Sequence, residues 1–252
     1  MSSESTSLNN VRAILFDLHE TITEVTDDIM ALTRNVSGRA GVDLSEFSDS
    51  ELSQAVEKMG KWFNAFQIEN NVDIHFGNEV EHWTEANRVM YQELGIDELS
   101  DELLISIEKE WKKILSTWES LRPDAQKTLQ ELHNRGYLLG ICTRRQDDPA
   151  MLLDKFGISD IISTVQWTSV PGYAKPFPYT LILAADEIGV NPHHCAFVGN
   201  YVDADILAAT RAGMVPVLTT WADSEEAKKA PEGTYIVGEV SELLDLFDGA
   251  PK

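Results

Sequence analysis

Val11-Arg-Ala-Ile-Leu-Phe-Asp17-Leu-His-Glu-Thr-Ile-Thr23 is the stretch on which the fold turns. A run of apolar, β-branched and aromatic residues stops at a carboxylate, Asp17, which is how a buried parallel strand presents a reactive group at its C-terminal tip. Open α/β sheets bind ligands in the crevice beyond such strand ends. Aspartate also caps turns after strands, so this stretch alone leaves both readings open.

The rest of the chain supplies the sheet. From Pro123 onward the pattern alternates between short apolar runs and helical periodicity. Strands are predicted at 137–143, 161–167, 194–199, 215–219 and 235–237, and helices at 124–135, 149–156, 178–188, 204–212 and 240–247, several closed by glycine. Strands separated by single helices imply right-handed crossovers and a parallel sheet covered on both faces. Between 24 and 121 the periodicity is helical with no convincing strand; helices are predicted at 51–66, 78–94 and 101–118, the last opened by Ser100 as N-cap. The expected architecture is an α/β, Rossmann-like three-layer core built from residues 1–23 and 122–252, with an all-helical domain inserted over 24–121.

Composition narrows the function. Of 252 residues, 43% are apolar, and 42 acidic against 20 basic side chains give a formal charge of −22. That charge argues against nucleic-acid or anionic-membrane binding through a general basic surface. No run approaches the roughly 18 apolar residues of a membrane helix, and the first ten residues carry no secretory pattern, so a cytoplasmic protein is expected. The two cysteines, Cys142 and Cys195, lie in apolar strand-like segments and read as buried thiols rather than a disulfide or zinc site. The aromatic residues Trp62, Phe63, Phe66, Trp83, Trp111 and Trp118 are expected to form the core of the inserted domain. A monomer and a homodimer through that surface are both compatible with the sequence.

Several predicted strands end in polar residues: Asp17, Thr143, and Gly199-Asn200 with Asp203 and Asp205 behind it. Lys175 sits in a proline-braced loop, Gly172-Tyr-Ala-Lys-Pro-Phe-Pro178. A parallel sheet gathers these on one edge. A carboxylate nucleophile, a hydroxyl, an ammonium and a second carboxylate together suit a small anionic substrate.

These segments resemble the haloacid dehalogenase superfamily of hydrolases. The resemblance rests on Asp17-Leu-His-Glu-Thr21, on Leu139-Gly-Ile-Cys-Thr143, on Lys175-Pro-Phe-Pro178, and on Val198-Gly-Asn-Tyr-Val-Asp-Ala-Asp-Ile206 with Ala212-Gly213. It covers residues from about 11 to 245. What it implies is a hydrolase in which Asp17 attacks phosphorus or carbon to form an aspartyl intermediate that water then cleaves. It further implies catalytic roles for His19, Thr143 and Lys175, and substrate contacts from Thr143, Arg144, Lys175 and Asn200. By the same resemblance Mg²⁺ is bound by Asp17, by the main-chain carbonyl of His19 and by Asp205, and the helical insertion is a cap that selects the substrate. On that insertion Arg34, Arg39, Trp62 and His75 are candidate contacts, but an ordinary surface or core role explains each of them better.

Two positions depart from the pattern. His19 stands where phosphatases keep an acid/base aspartate; an imidazole, with an unperturbed pKa of about 6.5, can serve both roles near neutrality. Asn200 stands where a metal-binding aspartate is usual, and its neutral oxygen is a poorer Mg²⁺ ligand, so metal affinity should fall unless Asp203 or Asp205 compensates. The expected activity is a phosphatase acting on a small phosphorylated metabolite. The alternatives are a metal-independent hydrolase of the haloacid dehalogenase kind, attacking carbon, and a catalytically silent binding protein of the same fold.

Overall fold

A computed structural model describes residues 8–25, 27–77 and 80–249. The chain divides into two compact units, one from Met1–Glu24 with Ser120–Lys252 and one from Val25–Glu119. In chain order the helices and strands are β1 (Ala13–Phe16), β2 (Thr23–Val25), α1 (Ile29–Arg39), α2 (Asp49–Glu69), α3 (Val80–Glu93), α4 (Asp101–Trp118), β3 (Glu119–Leu121), α5 (Ala125–Asn134), β4 (Leu138–Thr143), α6 (Ala150–Phe156), β5 (Ile162–Trp167), α7 (Tyr179–Glu187), β6 (Cys195–Gly199), α8 (Leu207–Ala212), β7 (Val215–Thr219), β8 (Tyr235–Val237) and α9 (Leu243–Leu246).

In the first unit six strands pair in the order β5-β4-β1-β6-β7-β8, and every pairing is parallel. The two-residue side-chain period of a strand divides the core between the faces. Ile14, Phe16, Leu139, Ile141, Ala196, Val198, Val215 and Val217 pack with Leu129 of α5, Leu153 and Phe156 of α6 and Leu243 of α9. Ala13, Leu15, Cys142, Cys195 and Phe197 pack with Leu181 and Ala184 of α7 and Ala208 and Ala209 of α8. The unit is therefore a three-layer α/β sandwich. Close packing fixes small residues too: a Cβ on Gly140 of β4 would meet Thr164 Cγ2 at 2.6 Å and Leu15 Cδ2 at 2.7 Å.

The second unit is helical. Asp28 caps α1 by accepting from the Met30 and Ala31 amides at 2.8 Å. Ser48 and Glu51 close a reciprocal capping box on α2. Ser100 accepts from the Leu103 amide at 3.3 Å and caps α4. Val36, Leu52, Ala55, Met90, Tyr91, Leu104 and Ile107 form the core. Glu108 is buried among these helices beside Asn87, and burial pushes its carboxyl up to about 7.

The structure differs from the sequence reading in detail. Strands do occur at the ends of the insertion, where β2 and β3 form a two-stranded sheet; at three residues each they are too short for alternation to show. The helix expected over 204–212 begins earlier, as a wide π-helical turn Val202–Ile206 that passes into α8. The helix expected over 240–247 is a 3₁₀ turn followed by the single turn α9. Positions 78 and 79, the first two of the helix expected over 78–94, lie outside the described residues. Of the aromatic set expected in the insertion's core, Phe63 is fully buried, while Trp62, Phe66, Trp83, Trp111 and Trp118 are half-buried. Trp111 packs against that core, while Trp62 stacks on Phe66 at 5.3 Å and Phe63 on Trp83 at 4.5 Å. Among the described residues no helix is long and apolar enough to cross a membrane.

Candidate active site

β1 lies between β4 and β6, and the chain order reverses there: the β4-β5 half extends to one side and β6-β7-β8 to the other. Such a switch point leaves a crevice at the C-terminal strand ends, because the connections leave in opposite directions. Asp17 follows the last residue of β1, and its amide donates to the Val198 carbonyl of β6 at 2.8 Å. Thr143 ends β4 and is buried, two residues beyond the Phe16–Ile141 pairing. Gly199 ends β6, one residue beyond the Phe16–Val198 pairing.

Lys175 joins them from the loop before α7. Its ammonium donates to Asp17 Oδ1 and to Asp205 Oδ1, both at 2.6 Å, and lies 5.1 Å from the centre of the Phe197 ring. Asp17, Lys175 and Asp205 are 7%, 3% and 2% exposed, so this is an ion triad out of water rather than a surface pair. Burial pushes the Asp17 carboxyl above its ordinary value; Lys175 opposes the rise and Asp205 adds to it. For Lys175 burial favours the neutral amine, but the two carboxylates outweigh it and lift the ammonium above its ordinary pKa. One cation between two buried anions leaves the cluster one negative charge in excess.

The other Asp205 oxygen is engaged too. Oδ2 accepts from the amides of Asn200 at 3.1 Å and Tyr201 at 3.0 Å, so the carboxylate closes the turn after β6. That approach requires glycine at 199, where an added Cβ would lie 2.3 Å from the Asp205 Cβ. Asn200 is buried, and its Oδ1 accepts from the Thr21 hydroxyl at 3.2 Å. The same hydroxyl lies 3.5 Å from Asp17 Oδ2. Thr21 is thus a member of the site for which only its place in the first motif spoke in the sequence.

His19 and Glu20 stand at the margin. The side chain of His19 is about a third exposed, with Nε2 4.0 Å from Glu20 Oε2. Glu20 has φ of 52°, in the left-handed region that favours glycine, and accepts from the Tyr201 hydroxyl at 3.5 Å. Arg144 and Asp203 are exposed. The cap candidates belong to the second unit: Arg34 pairs with Asp49 at 2.6 Å, Arg39 donates to Asn35 at 2.8 Å, Trp62 stacks on Phe66, and His75 is exposed. Cys142 and Cys195 are free buried thiols whose pKa values burial raises, that of Cys195 to about 12.

Among the described residues no group of three or more His, Cys, Asp or Glu side chains could hold a metal ion. Asp205, expected from the sequence to compensate for Asn200 as a ligand, has both oxygens engaged. Asn200 Oδ1 is likewise engaged by Thr21, and Asp17 keeps one oxygen clear of Lys175, so the described side chains do not make up the oxygen set that Mg²⁺ requires.

Comparison with known proteins agrees with this architecture. The chain matches the haloacid dehalogenase-like hydrolase family over residues 11–213 and belongs to it. A phosphoglycolate phosphatase from Xanthomonas campestris is 33% identical over 114 residues, 45% of this chain and 51% of that protein. The matched stretch thus spans about half of that relative. One from Mannheimia succiniciproducens is 29% identical over 216 residues, covering 83% of this chain and 86% of its own. The crystal structure of a predicted phosphoglycolate phosphatase from Haemophilus somnus superposes with a TM-score of 0.66 over 95% of this chain and 99% of that one, at 18% identity.

Proposed function

We propose that this protein is a phosphatase that hydrolyses a small phosphorylated metabolite through an aspartyl-phosphate on Asp17. The observation that carries the proposal is the Lys175 ammonium 2.6 Å from Asp17 Oδ1, braced from its other side by Asp205, at the switch-point crevice. The phosphatase names of the relatives support the substrate class. Asp17 Oδ2 is the attacking atom, since Oδ1 is held by Lys175. It bonds to phosphorus as the ester oxygen leaves, and His19 protonates that oxygen. Water then attacks the same phosphorus, His19 takes its proton, and phosphate departs from a regenerated Asp17. Thr143, Arg144 and the Asn200 amide hold phosphoryl oxygens, and Lys175 offsets charge as it builds. With Oδ1 on Lys175 and Oδ2 attacking, Asp17 has no carboxylate oxygen left over for Mg²⁺, and no step is routed through a metal.

Hydrolysis of p-nitrophenyl phosphate and a panel of small phosphomonoesters by the wild type and by Asp17→Asn tests the proposal. Turnover in the wild type that Asp17→Asn abolishes is the expected result. Halide release from 2-haloacids with no phosphomonoesterase activity would overturn it in favour of attack on carbon.

A further inference from the structure

We infer that Glu20 makes this site prefer phosphomonoesters whose alcohol carries a cation and reject those whose alcohol carries a second anion. The inference rests on the phosphatase reading and concerns the same site. In that reading His19 protonates the leaving ester oxygen, which puts this oxygen within hydrogen-bond reach of the imidazole, at about 3 Å. Glu20 Oε2 lies 4.0 Å from His19 Nε2, and the Glu20 side chain is 30% exposed. With Nε2 as the donor, the carboxylate stands within about 7 Å of the leaving oxygen. A charge two carbons along the leaving alcohol is then in its range.

The backbone singles out the same residue. Glu20 has φ of 52°, a conformation that glycine adopts freely and that strains a residue with a side chain. Strain of this kind persists where the surroundings hold it, and it gathers at ligand-binding positions. Here the Tyr201 hydroxyl donates to Glu20 Oε2 at 3.5 Å. Burial raises the pKa of that hydroxyl, and the negative charges of Glu20, Glu226 and Asp223 raise it further. Tyr201 therefore stays a donor in a region of negative potential.

Positive charge at the site is committed elsewhere. Lys175 is shared by Asp17 and Asp205, and Arg144 is assigned to phosphoryl oxygens. A carboxylate on the leaving alcohol would meet like charge at Glu20, and an ammonium would meet opposite charge, so attraction and repulsion discriminate together. As His19 passes its proton to the ester oxygen the imidazole becomes neutral, and Glu20 then acts on the leaving group unopposed. The preference is thus expressed in the transition state and reads out in kcat/KM.

The test compares the wild type with Glu20→Gln and Glu20→Gly on O-phosphoethanolamine, ethylene glycol monophosphate and 2-phosphoglycolate. These two-carbon esters differ in carrying an ammonium, a hydroxyl or a carboxylate. The wild type should favour the ammonium ester over the carboxylate ester in kcat/KM by roughly 10- to 100-fold, and both variants should cut that ratio at least about fivefold. Comparing ratios between proteins cancels the intrinsic reactivities of the esters. A wild type without the preference, or a ratio unchanged within about twofold in the folded variants, overturns the inference. Where none of the three is turned over, calorimetric binding to the wild type decides. Tighter binding of the ammonium ester than of the carboxylate ester supports the inference, and equal, reversed or absent binding overturns it. The phosphatase reading stands or falls separately, on whether Asp17→Asn abolishes hydrolysis.

Discussion

Replacing Asp17 by asparagine should abolish activity and stabilise the fold at neutral pH. The side chain is 7% exposed, and its carboxyl is raised above the ordinary value first by burial and then by Asp205, against the pull of Lys175. A raised folded-state pKa means that the folded protein binds the proton more tightly than the unfolded chain. Its stabilising contribution is complete below the unfolded value of 3.8 and is lost as pH rises through the folded value. Asparagine removes the charge, keeps the shape and leaves Lys175 paired with Asp205. Single stabilising substitutions commonly add about 0.5–2 kcal/mol, and a gain of that size at about 2–4 °C per kcal/mol raises Tm by about 1–8 °C. Calorimetric unfolding of both proteins between pH 4 and 8 should show the difference growing with pH. A variant less stable than the wild type at pH 7 would refute the reasoning, because Asp17 would then be a structural counter-ion for Lys175.

Further outcomes follow from other residues. Lys175→Met leaves two buried carboxylates facing one another, and urea unfolding at pH 7 should show a loss of about 3–5 kcal/mol, largely recovered by adding Asp205→Asn. Because the Lys175 pKa is raised, its contribution in the wild type is complete below 10.5 and lost as pH rises above that; the Met variant should lack that alkaline loss. Gly199→Ala forces a Cβ to 2.3 Å from that of Asp205, and should cost about 1–3 kcal/mol in thermal unfolding while lowering turnover. Glu108→Gln should match the wild type at pH 4 and be more stable at pH 8. The carboxyl rises from 4.5 to about 7, which at about 1.4 kcal/mol per tenfold change in proton affinity is on the order of 3 kcal/mol. His19→Ala should lower kcat by about 10²–10⁴, whereas His19→Asp should retain turnover with its pH optimum displaced to lower pH.

The sheet was legible in the sequence because its strands are buried on both faces and read as uninterrupted apolar runs ending in polar residues. Ala13–Phe16, Leu138–Thr143 and Cys195–Gly199 have that form, with Asp17 and Asn200 following the first and third, and their parallel pairing places their tips together. The spacing of Gly199 to Asp205 marked the fourth loop. It could not show which carboxylate oxygens would be consumed by neighbouring amides, since that depends on a π-helical turn with no sequence period of its own. Thr21 bridging to Asn200 and Tyr201 reaching Glu20 are contacts 179 and 181 residues apart, beyond any local pattern. The short β2–β3 pair was missed because three residues carry no alternation.

The most direct measurement is acid quenching of the enzyme during turnover of a small phosphomonoester, followed by mass-spectrometric mapping of the phosphorylated peptide. Phosphate on Asp17 in the wild type, and none on the protein in Asp17→Asn, is what the account predicts. Phosphate on another side chain, or turnover that persists in Asp17→Asn, would contradict it.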